Sequence, residues 1–279
     1  MDAATLTLIM WLIAGGALAG FAAGMFGIGG GAVMVPLLSF VLRSMGYPDA
    51  VIMHCAVATS SAVIIVSALR SVASHHKHGA VDWDILWPKQ FWKSWGLWIG
   101  AGALLGSGVL ARHISGNQLE MIFGVIMCLI AAQFIIGRPD WKLRDDLPGG
   151  LALPGFGGAI GALSALMGIG GGAISVSLMA LCGKPIHRAI GTASGVGVFI
   201  AIPATLGFIL SGQGIIGRPP FSLGYVSLLG FAILAATSIV FVPLGARLAH
   251  NTDQKPLKII FGIFLLAVSI KMIAGAIGG

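Results

Sequence analysis

The sequence predicts an all-α polytopic membrane protein: two inverted repeats of about five segments each, with glycine-rich helix hairpins near the bilayer midplane. Three observations predict it. The chain is too apolar for a soluble domain. Of its 279 residues 57% are hydrophobic and 9% charged, and its mean hydropathy is +0.98, whereas soluble domains carry about 25% charged residues. Its apolar runs have the lengths of membrane spans. It also repeats itself, because GIGGGA at 27–32 returns as GIGGGA at 168–173.

A hydrocarbon core of about 30 Å takes about 20 helical residues to cross. On that measure the first repeat, 1–140, reads as segments 5–26, 31–44, 50–74, 92–111 and 118–137. The first segment follows an acidic N-terminus with no basic stretch, which predicts a retained span rather than a cleaved signal peptide. The second, 31–44, follows the glycine run and is too short for a straight crossing. The third opens after Pro48. Trp83, Trp87, Trp92, Trp95 and Trp98 crowd the approach to the fourth, as an interfacial belt would. The second repeat, 141–279, reads as 148–167, 172–183, 185–212, 222–247 and 256–277, again with a short segment after the glycines.

Further landmarks recur in the same order. HCAVATSS at 54–61 lines up with HRAIGTAS at 187–194, and Ala111-Arg112 and Phe123-Gly124 match Ala246-Arg247 and Phe261-Gly262. Five segments per repeat is an odd number, so the repeats are expected to be inverted within one integral membrane domain. Of the 16 Lys and Arg residues, all but Arg43, Arg112, Arg218 and Lys271 fall on odd-numbered connections and their flanks. By the positive-inside rule those connections are cytoplasmic and both termini lie outside. This count requires each glycine run to turn the chain back on itself.

Several function classes are excluded. The formal net charge is +7, but the basic residues are scattered, with no basic helix to bind nucleic acid. Cys55, Cys128 and Cys182 show no metal or disulfide spacing. Residues 27–32 fit G-x-G-x-x-A, yet a membrane helix precedes them where a dinucleotide fingerprint needs a short strand. The nine acidic residues lie in loops or at segment ends, without a buried carboxylate chain for protons or sodium. No nucleophile–base pair lies inside the bilayer, so no enzyme is expected. His75-His76-Lys77-His78 reads as a solvated cytoplasmic loop.

Two constellations remain. Gly16, Gly20 and Gly24, like Gly102 and Gly106, Gly157 and Gly161, and Gly191 and Gly195, are spaced by four for close helix packing. Consecutive glycines do not follow from packing. Gly29, Gly30 and Gly31, and Gly170, Gly171 and Gly172, free the backbone from helix just before a new helix begins. The N-terminus of that helix presents free N–H groups and a positive dipole end. Two such ends meeting near the midplane make an anion site without a charged side chain. The second constellation is a pair of helix faces, His54–Ala58–Ser61 and His187–Gly191–Ser194, with Thr59 and Thr192 beside them. Imidazoles and hydroxyls donate to oxyanions, and the small middle residue leaves room for a ligand. Interhelical hydrogen bonding accounts for the same hydroxyls.

The expected function is a permease for a small anion, with lipid bilayer and substrate as partners, no nucleic acid, no metal and no cofactor. A homodimer is compatible with the glycine faces. Two other readings stay open: an intramembrane enzyme or assembly factor, and an anion importer coupled to protons through His54 and His187.

On the duplicated G-x-G-G-G-A turns, the A-x-[AG]-T-x-S stretches at 56–61 and 189–194, and the Arg112 and Arg247 segments, the chain resembles the TauE/SafE sulfite exporter family over nearly its whole length. The resemblance implies a multi-pass transporter in a bacterial inner membrane that exports sulfur-containing anions such as sulfite, sulfoacetate or related organosulfonates.

Overall fold

A computed structural model of the chain describes residues 3–137, 146–251 and 254–278. The repeat boundary at 140/141, Asp2, Arg138, Lys142, Arg144 and Asp253 lie outside these residues. The first half contributes α1 (Ala3–Phe26), α2 (Gly31–Ser44), α3 (Asp49–His76), the single turn α4 (Trp83–Leu86), α5 (Trp95–Gly108) and α6 (Gly116–Ile136). The second contributes α7 (Ala152–Met167), α8 (Gly172–Leu181) and α9 (Ile186–Ser211). A two-residue hairpin, β1 (Ser222–Leu223) with β2 (Val226–Ser227), then leads into α10 (Leu228–Asn251) and α11 (Gln254–Gly278). Six of the described helices are long and apolar enough to cross a membrane: α1, α3, α6, α9, α10 and α11.

The chain's own chemistry sets the boundaries. Pro48 and Pro185, extended at φ −63° and −55°, immediately precede α3 and α9, where the missing N–H costs nothing. Ser115 and Gln118 close a capping box on α6. Two segments are shorter than the sequence predicts. Ser94 caps α5 and leaves Trp92 in a preceding 3-10 turn, and α7 waits for Ala152 because Gly150 is left-handed at φ 61°.

The packing is that of two halves exchanging places. Helix α1 lies along α10, and its counterpart α7 lies along α5. Helix α3 crosses α9, and α6 pairs with α11. Helix α3 is the axis: 83% of its apolar window is buried, against 22% for α11. Glycine makes the two lateral seams. A β-carbon on Gly20 would sit 2.6 Å from the Ser238 Cα, and one on Gly106 would sit 2.9 Å from the Ala162 Cα. Gly24, Gly102, Gly161 and Gly245 similarly receive backbone of the facing helix. These spaced glycines, whose faces are compatible with a homodimer in the sequence, meet neighbouring backbone within the protomer.

Two polar residues lie deeper than the sequence reading placed them. Glu120, at the start of α6, is buried and holds the Arg43 guanidinium at 3.3 Å. His75 belongs to the last turn of α3, not to a solvated loop; it is buried, with Nε2 2.9 Å from the Gly24 carbonyl oxygen.

Candidate functional site

The two glycine runs meet. After α1, Gly27, Gly29 and Gly30 take φ of 67°, 76° and 82°; after α7, Gly168, Gly170 and Gly171 take 61°, 70° and 66°. Only glycine adopts this left-handed region at little cost, and six such residues at matching positions reverse the chain twice. The turns then cross backbone to backbone. A β-carbon on Gly31 would overlap the Gly168 carbonyl and lie 2.6 Å from the Ile169 Cα. One on Gly172 would overlap the Gly27 carbonyl and lie 2.6 Å from the Ile28 Cα. Ile64, near the middle of α3, touches both turns from the side, approaching the β-positions of Gly29 and Gly170 to 3.1 and 2.8 Å.

Two helix breaks at the centre of an apolar bundle leave polar backbone that must be matched. The carbonyls are matched mainly by one stripe of α3. Ser60 donates to the Gly168 oxygen at 2.8 Å, Ser67 to Gly29 at 3.1 Å and Ser71 to Ala23 at 3.3 Å, and His75 lies on Gly24. The donors differ. Among the described residues the amides of Gly29 and Gly30, and those of Gly170 and Gly171, make no hydrogen bond. Two buried hydroxyls at the second turn also lack partners, Ser164 and Ser175. Ser164 Oγ lies 2.8 Å from where a β-carbon on Gly171 would be, and Ser175 is in the first turn of α8. The second turn thus concentrates unmatched donors of both backbone and side chain.

The side chains singled out from the sequence have separate destinations. Ser194 joins the turns: its Oγ bonds the Ile190 carbonyl at 3.1 Å and Ser71 at 2.9 Å, and it lies 3.2 Å from the β-position of Gly27. Ser61 is buried and bonds back to Val57 at 2.9 Å. Thr59 and Thr192 act alike as latches. Each accepts a backbone amide at 2.9 Å, from Ser227 and from Asp82, fastening the chain that enters the next helix. The space over Gly191 is filled by the backbone of Ala80, not left for a ligand. The histidines are not brought together. His54 is buried at the α3 entrance, 3.0 Å from the Ala111 oxygen, whereas His187 is exposed at the start of α9.

Of the residues on the α3 stripe, the sequence reading passes over Ser60, Ser67 and Ser71 and puts His75 in a loop. Their spacing of seven and four does place them on one helix face, and that was the available signal. They have no copies in the second repeat, where Ala193, Ile200, Ala204 and Phe208 stand in register, so a search for duplicated polar residues passes over them.

Long apolar helices enclosing a pair of crossed, broken helices define the class, a polytopic α-helical membrane transporter. The family model for sulfite exporter TauE/SafE matches residues 12–272, and the chain belongs to that family. It is 34% identical over 272 residues to a probable membrane transporter protein of Haemophilus influenzae, covering 95% of this chain and 98% of the relative. A probable membrane transporter protein of Methanocaldococcus jannaschii is 27% identical over 275 residues, 96% of each chain. One from Bacillus subtilis is 25% identical over 287 residues. No solved structure matches the chain.

Proposed function

We propose that the protein is a permease of a bacterial inner membrane that exports small sulfur-containing anions, sulfite or organosulfonates such as sulfoacetate. The substrate rests against the glycine turns, with the second turn as its principal seat. One observation carries this reading: unmatched amides at both turns, together with the unpartnered buried hydroxyls of Ser164 and Ser175. Buried donors without acceptors are costly, roughly 1–3 kcal/mol each, and an oxyanion at that place satisfies several at once. Helix N-termini add a favourable field. Inversion of the two halves, as the odd number of segments per repeat implies, would give the site access to each side in turn.

Export fits the energetics. A membrane potential is worth about 2.3 kcal/mol per elementary charge per 100 mV, and with the cytoplasm negative it drives anions outward without a coupled ion. The test is flux of sulfite, sulfoacetate and an unrelated anion such as chloride in proteoliposomes, with and without an imposed potential. Uptake of sulfur oxyanions into vesicles made positive inside, and its collapse on dissipating the potential, is expected. Absence of flux for every sulfur oxyanion overturns the reading.

A further inference from the structure

A second group of donors lies away from the turns, at the end of the bundle where α3 begins. The chain after α9 folds back through the β1–β2 hairpin and lays Tyr225 against Gly212, whose β-position is 2.6 Å from the Tyr225 Cδ2. The Tyr225 ring stacks on His54, with centroids 5.0 Å apart. Two arginines frame this stack. Arg218 donates through Nε to Ile215 at 2.7 Å and through Nη1 to Gly224 at 2.8 Å, and Arg112 donates to Leu210 at 3.2 Å.

These carbonyl contacts explain where the guanidinium groups sit, but not their charge. Each has five N–H donors and uses one or two. Among the described residues neither has a carboxylate within ion-pair distance, since both such pairs belong to Arg43. The Tyr225 hydroxyl has no partner among the described residues either. Burial raises the phenol above its ordinary pKa and the Cys55 thiol adds to the rise, while Arg218 and Arg112 pull it down. At neutral pH it is a protonated donor.

The last element is His54. Its Nε2 faces a carbonyl, which only accepts, so Nε2 carries the proton and a neutral ring presents a lone pair at Nδ1. Among the described residues that atom is buried without a hydrogen-bond partner, as is Ser211 Oγ at the end of α9 beside Gly212. The cluster therefore offers two cations without a carboxylate partner among the described residues, a phenol donor and one unmatched acceptor. A fully ionised sulfonate matches the first three and leaves the acceptor empty. An oxyanion that keeps one O–H matches all four.

We propose a second ligand site at this mouth, in which Arg218, Arg112 and the Tyr225 hydroxyl hold the oxygens of a small, singly protonated oxyanion and His54 Nδ1 accepts its O–H. The assignment deepens the permease reading and rests on it for the substrate class, but it is read by binding, without flux.

The test is equilibrium calorimetry on the full chain in detergent, in mildly acidic buffer where sulfite carries one proton. The probes are sulfite and ethanesulfonate, which has no O–H. Arg218→Gln, on a Ser164→Ala background that weakens the turn seat, is expected to weaken sulfite binding tenfold or more. Tyr225→Phe, which keeps the ring stack and so the local fold, is expected to weaken it at least threefold. Arg70→Gln, the same charge change on an exposed part of α3, leaves it unaltered. His54→Phe is expected to remove the preference for sulfite over ethanesulfonate. Binding unchanged by both Arg218→Gln and Tyr225→Phe overturns the site, and a preference that survives His54→Phe overturns the role of the O–H. Arginine-sensitive binding in a protein that shows no flux sustains this site and sinks the permease reading instead.

Discussion

Replacing Gly31 by alanine tests the crossing of the two turns directly. The residue begins α2 and has no left-handed φ, so an alanine there suffers no conformational strain and gains about 1 kcal/mol of helix propensity. The cost is purely a matter of space. The new β-carbon would lie 2.6 Å from the Ile169 Cα, where ordinary contact begins at 3.4 Å. The turns must part by about 0.8 Å, more at the overlapped Gly168 carbonyl. Both neighbours are backbone, so no rotamer change relieves the overlap, and the upper part of the usual ~1–3 kcal/mol overpacking penalty applies. The net loss is about 2 kcal/mol, a fall of about 4–8 °C in the apparent Tm. Gly172→Ala makes the reciprocal overlap with Gly27 and is expected to cost the same. Once either alanine has parted the turns, the second meets less resistance. The double variant is therefore expected to fall short of the sum by at least about 0.5 kcal/mol. Thermal unfolding in detergent, followed by circular dichroism, measures all three. Single variants as stable as the wild type, or a double variant that is strictly additive, would refute the crossing as the source of the glycine requirement.

Three other outcomes follow from the same contacts. Ser60→Ala removes the partner of the buried Gly168 carbonyl and should lower stability by roughly 1–3 kcal/mol; Ser164→Ala removes no hydrogen bond, so it should leave Tm unchanged while raising the half-saturation for transported anion severalfold. Gly102→Ala places a β-carbon 2.7 Å from the Gly158 Cα and should lower Tm about as much as the turn variants, whereas Gly155→Ala, with open surroundings, should leave it unchanged or slightly raised. Arg43→Ala strands the buried Glu120 carboxylate and should cost up to about 3 kcal/mol in chemical unfolding. Glu120→Gln should cost less, because Arg43 is half exposed and keeps Asp49 at 3.3 Å.

Backbone features were the legible part of the sequence. Apolar runs at 5–26 and 31–44 became α1 and α2 with little change, because span length and a triple glycine leave few alternatives. The paired turns were readable because glycine declares its conformation in its own identity. Side-chain partners were less legible. Thr59 and Thr192 were recognised as a recurring pair, but nothing local reveals that each hydroxyl faces an amide 168 or 110 residues away. His54 and His187 look equivalent in register and differ in surroundings. Tyr225 stacks on the first, while Ala80, the residue two before the amide that binds Thr192, stands where a tyrosine would cover the second. Glu120 sat close enough to a segment end to pass for an exposed residue. Its burial comes from Arg43, Gly275 and the α6–α11 pairing, all distant in sequence.

The duplicated and the unduplicated features divide by physical role. What both halves share is backbone chemistry: the left-handed glycines, the reciprocal overlaps at Gly31 and Gly172, the back-bonded Ser61 and Ser194, and the threonine latches. These set where the chain turns and how closely helices approach, and they must hold in both halves for the crossing to close. What the halves do not share is side-chain polarity. The serines of the α3 stripe correspond in register to Ala193, Ile200 and Ala204 of α9, and Ser164 and Ser175 correspond to Ala23 and Met34. The result is a carbonyl-satisfying rail on one long helix and unmatched donors at the opposite turn. A strictly symmetric site would offer an anion two equal seats and no reason to prefer either. Here the unmatched donors gather at the second turn, so the asymmetry between the turns arises from divergence of side chains upon a backbone that repetition holds constant.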